Sequence, residues 1–353
     1  MGALMQQIAF VTTTINVPQV LPMYVKSADA NTRFFIIGDK KTDDCAMYAF
    51  LEPLRTHADI RYYTVTDQAE LGYACSPLIG WNCIMRRNIG FLEALKWGAD
   101  TIISFDDDNV ILDPFSYKLD HACTVDGTPA SGPCVTSDSG WFDPGTLLFP
   151  PSPHRGFPIT TRRGDSRFRK FKPASSAKVG VNAGISLGDP DIWAVERIVN
   201  APEVHQVSEL LRSGLLVDSR TWTVFNSQNT AVIRDLIPAW GMVPHVGRMD
   251  DIYASLITQR VMRDRGLHVH FGQPFVWQQR NEQNVLTNLR HEIDGMEHIT
   301  HLADLIGFRS LPGKSVIDDC RHMWEALSHT DWMPPDALKA MFAYLDDCEK
   351  VMG

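Results

Sequence analysis

The sequence between Asp100 and Asn109, DTIISFDDDN, is a short apolar and β-branched run that ends in three aspartates. Such a run predicts a buried strand with carboxylates at its end. Carboxylates packed this densely repel one another unless a cation lies among them. Hard oxygen ligands suit Mg²⁺ or Mn²⁺, which complete their coordination with water and substrate phosphates. The stretch therefore predicts a metal-assisted nucleotide-sugar site, and a helix cap or a solvated turn is the alternative.

Strand and helix patterns alternate around this stretch. Alternation of this kind predicts an α/β fold, a mostly parallel sheet flanked by helices that binds ligands at the carboxyl ends of its strands. Helical patterns late in the chain predict a C-terminal helical extension, so we divide the chain into a nucleotide-sugar domain at 1–290 and an extension at 291–353. The predicted strands are 8–13, 33–37, 60–66, 101–105, 267–273 and 275–277, and the predicted helices are 82–97, 196–216, 250–265 and several between 299 and 351.

The composition excludes several classes of protein. The chain has 353 residues, of which 44% are hydrophobic and 21% charged, and its net charge of −9 argues against general binding to nucleic acid or anionic membranes. Seven cysteines without a CxxC pair indicate reduced thiols. The first residues lack the basic region of a signal peptide, and no apolar run approaches the roughly 20 residues of a membrane span. We therefore expect a cytoplasmic protein.

Polar residues follow the first strands, where a nucleotide-binding sheet contacts the base and ribose. Thr12 and Thr13 end the first strand, and Asp39 follows the second. Arg86 and Arg87 lie near the start of the helix that precedes the aspartate strand, which brings two cations towards the same crevice. All five are candidate nucleotide contacts, although each position is also ordinary for a strand end or a helix surface.

A second acidic group occurs in the segment GRMDD, residues 247–251, directly before an amphipathic helical pattern. The helix dipole alone favours carboxylates at this position. The functional hypothesis is that Asp250 or Asp251 acts on the sugar, either as a base or by stabilising an oxocarbenium-like transition state. Arg248, in the same segment, is a candidate for binding the nucleotide.

Two further features have an open interpretation. His268 and His270 alternate on a predicted strand and so share a face, and one of them could complete a metal site with Asp108. A structural histidine is the alternative. The basic segment at 162–172 is typical of a solvated loop, and beside a phosphate site it could close as a lid.

Short motifs follow one another in a fixed order across residues 8–290, and the ordered set resembles the reversibly glycosylated polypeptides. That family includes the UDP-arabinopyranose mutases and has a glycosyltransferase-A fold. The motifs are ISFDDD at 103–108, FDP at 142–144, RGFP at 155–158 with Arg162, GISL at 184–187 with DPD at 189–191, NTA at 229–231 with RDL at 234–236, GRMDD at 247–251 and GQP at 272–274.

The resemblance implies roles for these residues. It implies a UDP-sugar site in which Asp106, Asp107 and Asp108 hold the metal diphosphate, and it places Asp250 and Asp251 near the reacting sugar. It also implies that Arg155 carries sugar reversibly and that Arg162 is a second functional arginine. A guanidinium stays protonated and is a poor nucleophile, so a phosphate clamp is the alternative role for Arg155.

The metal site departs from the family at one position. The family has a histidine shortly after the Gly-x-Pro motif, where this chain has Gln278. The third protein ligand of the metal, beside Asp106 and Asp108, is therefore open among His268, His270 and Gln278, of which we select His270.

Three functions fit these features. We favour a metal-dependent glycosyltransferase that uses Mn²⁺ or Mg²⁺ and moves sugar from a UDP-sugar to an acceptor, which is a small molecule, a glycan or the protein itself. In a UDP-sugar mutase, the sugar would return to UDP with a changed ring size. The third function is a non-catalytic partner that binds nucleotide sugar, and the intact acidic clusters argue against it. The sequence leaves open whether the chain forms a homo-oligomer.

Overall fold

The computed structural model describes residues 6–161, 169–281 and 283–353. Its strands are β1 (Ile8–Thr13), β2 (Thr32–Ile37), β3 (Asp59–Tyr63), β4 (Thr101–Phe105), β5 (Asn109–Ile111), β6 (Ala130–Ser137), β7 (Leu148–Phe149), β8 (Arg169–Gly188), β9 (Gln206–Val207), β10 (Leu215–Val217), β11 (Asn229–Ile233) and β12 (Leu267–Gln278). Its helices are α1 (Leu21–Val25), α2 (Asp44–Leu54), α3 (Val65–Glu70), α4 (Ser76–Ile79), α5 (Arg87–Trp97), α6 (Tyr117–Thr124), α7 (Ala194–Val199), α8 (Glu209–Arg212), α9 (Asp250–Asp264), α10 (Val285–Gly307), α11 (Val316–Leu327) and α12 (Pro335–Met352). Short 3₁₀ turns cover Ile84–Arg86, Pro144–Leu147, Arg234–Leu236 and Gly247–Met249.

Ten of these strands form one mixed sheet in the order β3-β2-β1-β4-β11-β8-β6-β10-β12-β5. The strands from β3 to β4 are parallel to one another, and antiparallel pairs enter where β11 joins β4. The predicted α/β class, a sheet flanked by helices with helices at its C-terminal side, is confirmed. Because the ends of β1, β2 and β4 meet at one edge, the residues that follow them are brought together.

A hydrophobic core lies on each face of the sheet. Ala9 and Val11 of β1 pack on one face with α5, α9 and the late helices, whereas Phe10 packs on the other face with α1, α2 and α6. Phe10 stacks on Phe34 with ring centroids 4.7 Å apart. Burial on both faces explains why β1 and β4 are continuous apolar runs and not alternating ones.

Three predicted elements differ from the structure. The strand predicted at 60–66 ends at Tyr63, because Thr64 and Asp67 form a capping box that starts α3. The helix predicted at 196–216 was wrong as a single element: Pro202 interrupts it, and the segment contains α7, β9 and α8. The two strands predicted between 267 and 277 are one strand, β12.

The late helices pack into the same core as the sheet. Tyr344 of α12 donates to the Ile237 carbonyl at 3.1 Å, and Arg265 pairs with Asp319 of α11 at 2.8 Å. The boundary predicted at residue 290 falls inside α10, so the division into two domains stays a prediction. All seven cysteines lie among the described residues and are free thiols. None of the described helices is both long and apolar enough to cross a bilayer.

Candidate active site

A crevice of about 610 Å³ opens beside the end of β4 and contains both acidic groups that the sequence singled out. Asp106, Asp108, Asp250 and Asp251 all line it. The remaining polar wall comes from loops and strand ends that are distant in sequence, namely Arg155, Asp191, Ser227, Gln228, Arg248, Gln278 and Arg280.

The first acidic group is Asp106, Asp107 and Asp108, directly after β4. Asp106 accepts a hydrogen bond from Arg87 Nη2 at 2.7 Å, and Asp107 accepts one from Thr14 Oγ1 at 2.5 Å. Burial, and then the negative charges of Asp106 and Asp107, raise the pKa of Asp108 to about 7. Burial also raises the pKa of Asp107. The group therefore carries negative charge that its protein neighbours compensate only in part.

The donor atoms at this position fit a hard divalent cation. Gln278 Nε2 faces Asp108 Oδ1 at 3.5 Å, and Gln278 Oε1 is buried and has no hydrogen-bond partner among the described residues. A carboxylate pair and an amide oxygen are ligands that Mg²⁺ and Mn²⁺ accept. No three His, Cys, Asp or Glu side chains form a metal-binding group within the described part of the chain. An ion here would therefore complete its coordination with water and phosphate oxygens.

His270 lies elsewhere on β12, and its predicted role as a metal ligand receives no support from the structure. It is near the start of β12, whereas Gln278 ends that strand. Its ring bonds through Nδ1 to Asn182 Oδ1 at 2.7 Å, and burial lowers its pKa to about 4. His268 precedes it on the same strand, also away from Asp108, and burial lowers its pKa.

Arg86 and Arg87 use most of their donors inside the protein, although Arg87 Nε has no partner among the described residues. Arg86 donates to Gln68 Oε1 at 2.9 Å and to the Ser76 carbonyl at 2.7 Å, and its guanidinium lies 4.0 Å from the centre of the Trp81 ring. Arg87 is buried and joins Asp106 to Ser227, whose Oγ accepts from Arg87 Nη1 at 2.7 Å. Arg87 thus positions a carboxylate. The predicted direct contact of either arginine with the nucleotide receives no support from these bonds.

The residues predicted to contact the base and ribose lie at strand ends, as expected, but their side chains are buried or bonded to nearby protein groups. Thr12 is fully buried, and Thr13 Oγ1 donates to the Ile37 carbonyl at 3.1 Å. The Asp39 carboxylate accepts the backbone N–H groups of Lys40 at 2.7 Å and Cys83 at 3.2 Å. A role for these three residues in nucleotide binding stays a prediction.

The second acidic group, Asp250 and Asp251, begins α9. Asp251 is anchored, because its carboxylate accepts from Ser227 N at 3.1 Å and from Arg155 Nη2 at 3.0 Å. The Asp250 carboxyl group accepts the Asp251 N–H at 2.9 Å. Burial, and then the charge of Asp251, raise the pKa of Asp250 to about 8. At neutral pH, Asp250 is therefore mostly protonated.

Arg155 is the buried centre of a carboxylate cluster. It donates from Nε and Nη2 to the two oxygens of Asp191 at 3.0 and 2.9 Å, from Nη2 to Asp251, and from Nη1 to the Arg248 carbonyl. Burial opposes its charge, but Asp191 and Asp251 outweigh that effect and raise its pKa well above the ordinary value. A guanidinium held protonated in this way is a poor nucleophile. Its geometry is that of a clamp on carboxylates.

The other predicted cations differ in their surroundings. Arg248 lines the crevice and donates from Nε to the buried Glu292 at 2.9 Å, with a quarter of its side chain exposed. Arg162 lies outside the described residues. Of the basic segment at 162–172, only the last four residues are described, and they begin β8.

The sequence analysis missed three residues of this wall, Trp81, Ser227 and Arg280. Ser227 connects the two acidic groups, because it contacts both Arg87 and Asp251. Trp81 is half-buried and rests on Arg86. Arg280 follows the end of β12, so the strand-end rule that selected Asp106 could have found it. Nothing local in the sequence marks Ser227.

Comparison with known proteins gives one curated relative. The chain is 26% identical over 204 residues to a protein of Solanum tuberosum named probable UDP-arabinopyranose mutase 1, a match that covers 52% of this chain and 51% of the relative. The chain thus spans about half the length of that relative. No protein-family model matches. The similarity is to a nucleotide-sugar enzyme, and it is too low to place the chain in the specific family.

Solved structures give only a distant likeness. A crystal structure of residues 1–349 of S. aureus TarS is 10% identical with a TM-score of 0.44, and it covers 98% of this chain and 90% of its own. The same protein in complex with UDP is 8% identical with a TM-score of 0.39, at the same coverage. At TM-scores this low, the likeness supports no conclusion about the function of this chain.

Proposed function

We propose that this chain is a UDP-sugar-dependent glycosyltransferase that uses a divalent cation. The observation that carries the proposal is the pair of acidic groups, the half-buried Asp106–Asp108 and the buried Asp250–Asp251, in one crevice of a size suited to a small-molecule ligand. A divalent cation would compensate the charge of the first group, and the second group would stabilise the positive charge that develops on a transferring sugar. The relative named as a UDP-arabinopyranose mutase supports a UDP-sugar as the substrate.

Asp106 and Asp108 would hold the cation, Gln278 Oε1 would join them after rotation of the amide whose Nε2 faces Asp108, and Arg87 keeps Asp106 in place. A bound divalent cation would neutralise the diphosphate and so lower the energy of the departing UDP. In the reaction, the bond between sugar C1 and the diphosphate oxygen breaks, and its electron pair leaves with UDP.

Asp250 and Asp251 would have different roles in the reaction of the sugar. Asp251 is fixed by Ser227 and Arg155 and would stabilise the positive charge that develops at C1. Asp250 has no such anchor. In its ionised form it would accept the proton of the acceptor hydroxyl while the new bond to C1 forms. Its raised pKa means that this ionised form becomes more abundant as the pH rises towards 8.

The contacts of Arg155 favour a separate acceptor over sugar carried on that arginine. Its guanidinium is engaged by Asp191, Asp251 and a backbone carbonyl, and its raised pKa opposes the deprotonation that attack on C1 requires. A UDP-sugar mutase is the second candidate function. The name of the Solanum tuberosum relative supports it, and in that reaction the sugar would return to UDP.

The test is incubation with a panel of UDP-sugars, with UDP and sugar nucleotides separated by chromatography, in Mn²⁺ or Mg²⁺ and in chelator. Free UDP that accumulates only when an acceptor is added supports the transferase. Interconversion of sugar nucleotides without net UDP supports the mutase. Tight binding without turnover of any UDP-sugar would leave only a non-catalytic binding role and would overturn the proposal.

A further inference from the structure

Arg280 is a buried cation with unused hydrogen-bond donors. It follows β12, lines the crevice, and has only 7% of its side chain exposed. Within residues 6–161, 169–281 and 283–353, its Nε and Nη2 atoms have no hydrogen-bond partner. The acids nearest to these atoms are Asp189 at 3.7 Å and Asp191 at 3.9 Å, which is too far for a hydrogen bond.

The two neighbouring acids are already paired with other arginines. Asp191 gives both of its oxygens to Arg155, and Asp189 accepts from Arg197 Nη1. Arg280 therefore lies beside acids that are already paired with other arginines, and its Nε and Nη2 groups have no acceptor among the described residues. Buried donors without partners are uncommon in proteins and cost stability, so each one requires an explanation. A ligand that supplies acceptor oxygens would provide it.

The position of Arg280 indicates the chemistry of that ligand. Its positive charge acts on Asp108, and both residues line the same crevice. The other arginines that the sequence suggested are committed elsewhere, Arg87 to Asp106 and Arg248 to Glu292. When the bond to the sugar breaks, the diphosphate gains a negative charge that the divalent cation alone does not neutralise. A second cation in the same crevice would stabilise that charge, and the guanidinium fork matches phosphate oxygens.

We infer that Arg280 binds the diphosphate of the nucleotide sugar directly. This inference rests on the proposed function and adds to it an assignment: the phosphate contact expected of Arg86, Arg87 or Arg155 belongs to a residue at the end of β12. The diphosphate lies between Arg280 and the carboxylates of Asp106 and Asp108. Its oxygens accept the two N–H groups that the protein leaves unused.

The test compares ligands that differ only in their phosphates. Calorimetric titrations with UDP, UMP and uridine in Mg²⁺ are made on wild type, Arg280→Gln, Arg280→Lys and Arg212→Gln. The last is the matched control, because Arg212 is exposed on α8 away from the crevice. We expect Arg280→Gln to weaken UDP binding about 10- to 100-fold with uridine binding unchanged. Arg280→Lys should recover part of the loss, and the control should match wild type.

The outcomes separate the inference from the proposed function. Equal UDP affinity in wild type and Arg280→Gln would overturn the inference and leave the proposed function standing. An equal loss for UDP and uridine would also overturn it, because Arg280 would then act through the fold. If Arg280→Gln fails to fold, Arg280→Lys decides: an unchanged UDP affinity refutes the direct contact. A wild-type protein that does not bind UDP at all refutes the proposed function itself.

Discussion

Asp250, which is buried, and Asp108, which is half-buried, are carboxyl groups whose pKa the fold raises to about 8 and about 7. Such groups reduce stability, because the unfolded chain would ionise them freely. Proteins tolerate this cost where the same groups bind a ligand or transfer a proton. Removal of either carboxyl group should therefore lower the activity and raise the stability.

Asp108→Ala is expected to abolish turnover, with a loss of more than about 100-fold, because the diphosphate would lose its cation. The fold should survive, since the change relieves repulsion among three adjacent carboxylates. Turnover of the UDP-sugar and thermal melting measure the two effects. Asp235→Ala, an exposed aspartate, is the control. Full activity of the Asp108 variant, or of wild type in chelator, would contradict the metal assignment.

Asp250→Asn should remove most turnover while UDP affinity is nearly kept, because Asp250 acts on the sugar side. Its stability should depend on pH. The pKa of Asp250 is raised from about 3.8 to about 8 by folding, so wild type loses stability as pH rises through that window. Asn does not titrate. The variant should therefore exceed wild type by on the order of 2 kcal/mol at pH 8 and by less at pH 5.

Denaturant unfolding at pH 5 and pH 8 measures that difference in stability. The pH profile of turnover gives an independent check, because wild-type activity should rise with pH towards 8 and the residual activity of Asp250→Asn should not. If Asp250→Asn lost UDP affinity as strongly as turnover, Asp250 would instead belong to the nucleotide or metal site.

The variant Arg155→Lys distinguishes between two roles of Arg155, a clamp on carboxylates and a carrier of sugar. Lysine keeps the charge but cannot bridge Asp191 and Asp251 at the same time, so we expect roughly tenfold slower turnover and a loss of about 1–3 kcal/mol of stability. Mass spectrometry of wild type after turnover of a UDP-sugar should show the Arg155 peptide without added sugar. A hexose or pentose increment on that peptide would refute the clamp and support the mutase.

At the level of elements, α9 owes its position to the turn that precedes it. Gly247 has φ of +65°, and a Cβ atom there would overlap the His291 carbonyl oxygen of α10. A Cβ atom on Gly295 of the same helix would likewise overlap the Met249 side chain. The turn and α10 thus approach at backbone distance, and the contact fixes where Asp250 and Asp251 enter the crevice.

Gly247→Ala should therefore lower both stability and turnover. Gly313→Ala is the matched control, because Gly313 has φ of +69° but no atom lies within 4 Å of the position that its Cβ would take. Both variants carry the strain of a positive φ, on the order of 1 kcal/mol, and only Gly247→Ala adds the clash. Thermal melting and turnover compare them. Equal effects in the two variants would show that the contact with α10 does not position α9.

The sequence predicted those parts of the site that depend on the ends of elements. The run before Asp106 and the helical pattern after Asp250 place both acidic groups correctly, because strand ends and helix starts are local properties. It did not predict which way side chains point. His270 turns to Asn182, which is 88 residues away, and that choice depends on how β12 pairs with β8. The position of Arg280, just after β12, depends on the same strand pairing.

For the whole molecule, the late helices complete one wall of the crevice. Asp347 of α12 accepts the Cys75 N–H at 2.9 Å, at the start of α4, and the loop after α4 carries Trp81. Asp347 is buried. The contact therefore connects residues 272 positions apart and holds the segment that leads to the crevice.

Asp347→Ala should leave the Cys75 N–H without its acceptor and cost about 1–3 kcal/mol of stability. Hydrogen exchange should become faster in residues 75–86 than in β1, which lies away from the change. Lys339→Ala, an exposed residue of α12 that pairs with Asp336 and not with Asp347, is the control. Unchanged exchange in 75–86 would mean that α12 does not support that wall.

The contact between Asp347 and Cys75 also bears on how the protein is made. The ribosome releases residue 75 long before residue 347, and at the usual pace of elongation the interval is tens of seconds. During that time the parallel strands β1 to β4 can pair, since all of them precede residue 106. The segment that leads to Trp81 has no contact with Asp347 until residue 347 has been synthesised. A nascent chain would therefore carry an assembled aspartate cluster beside an unfinished wall, open to chaperones and proteases until the last helices dock.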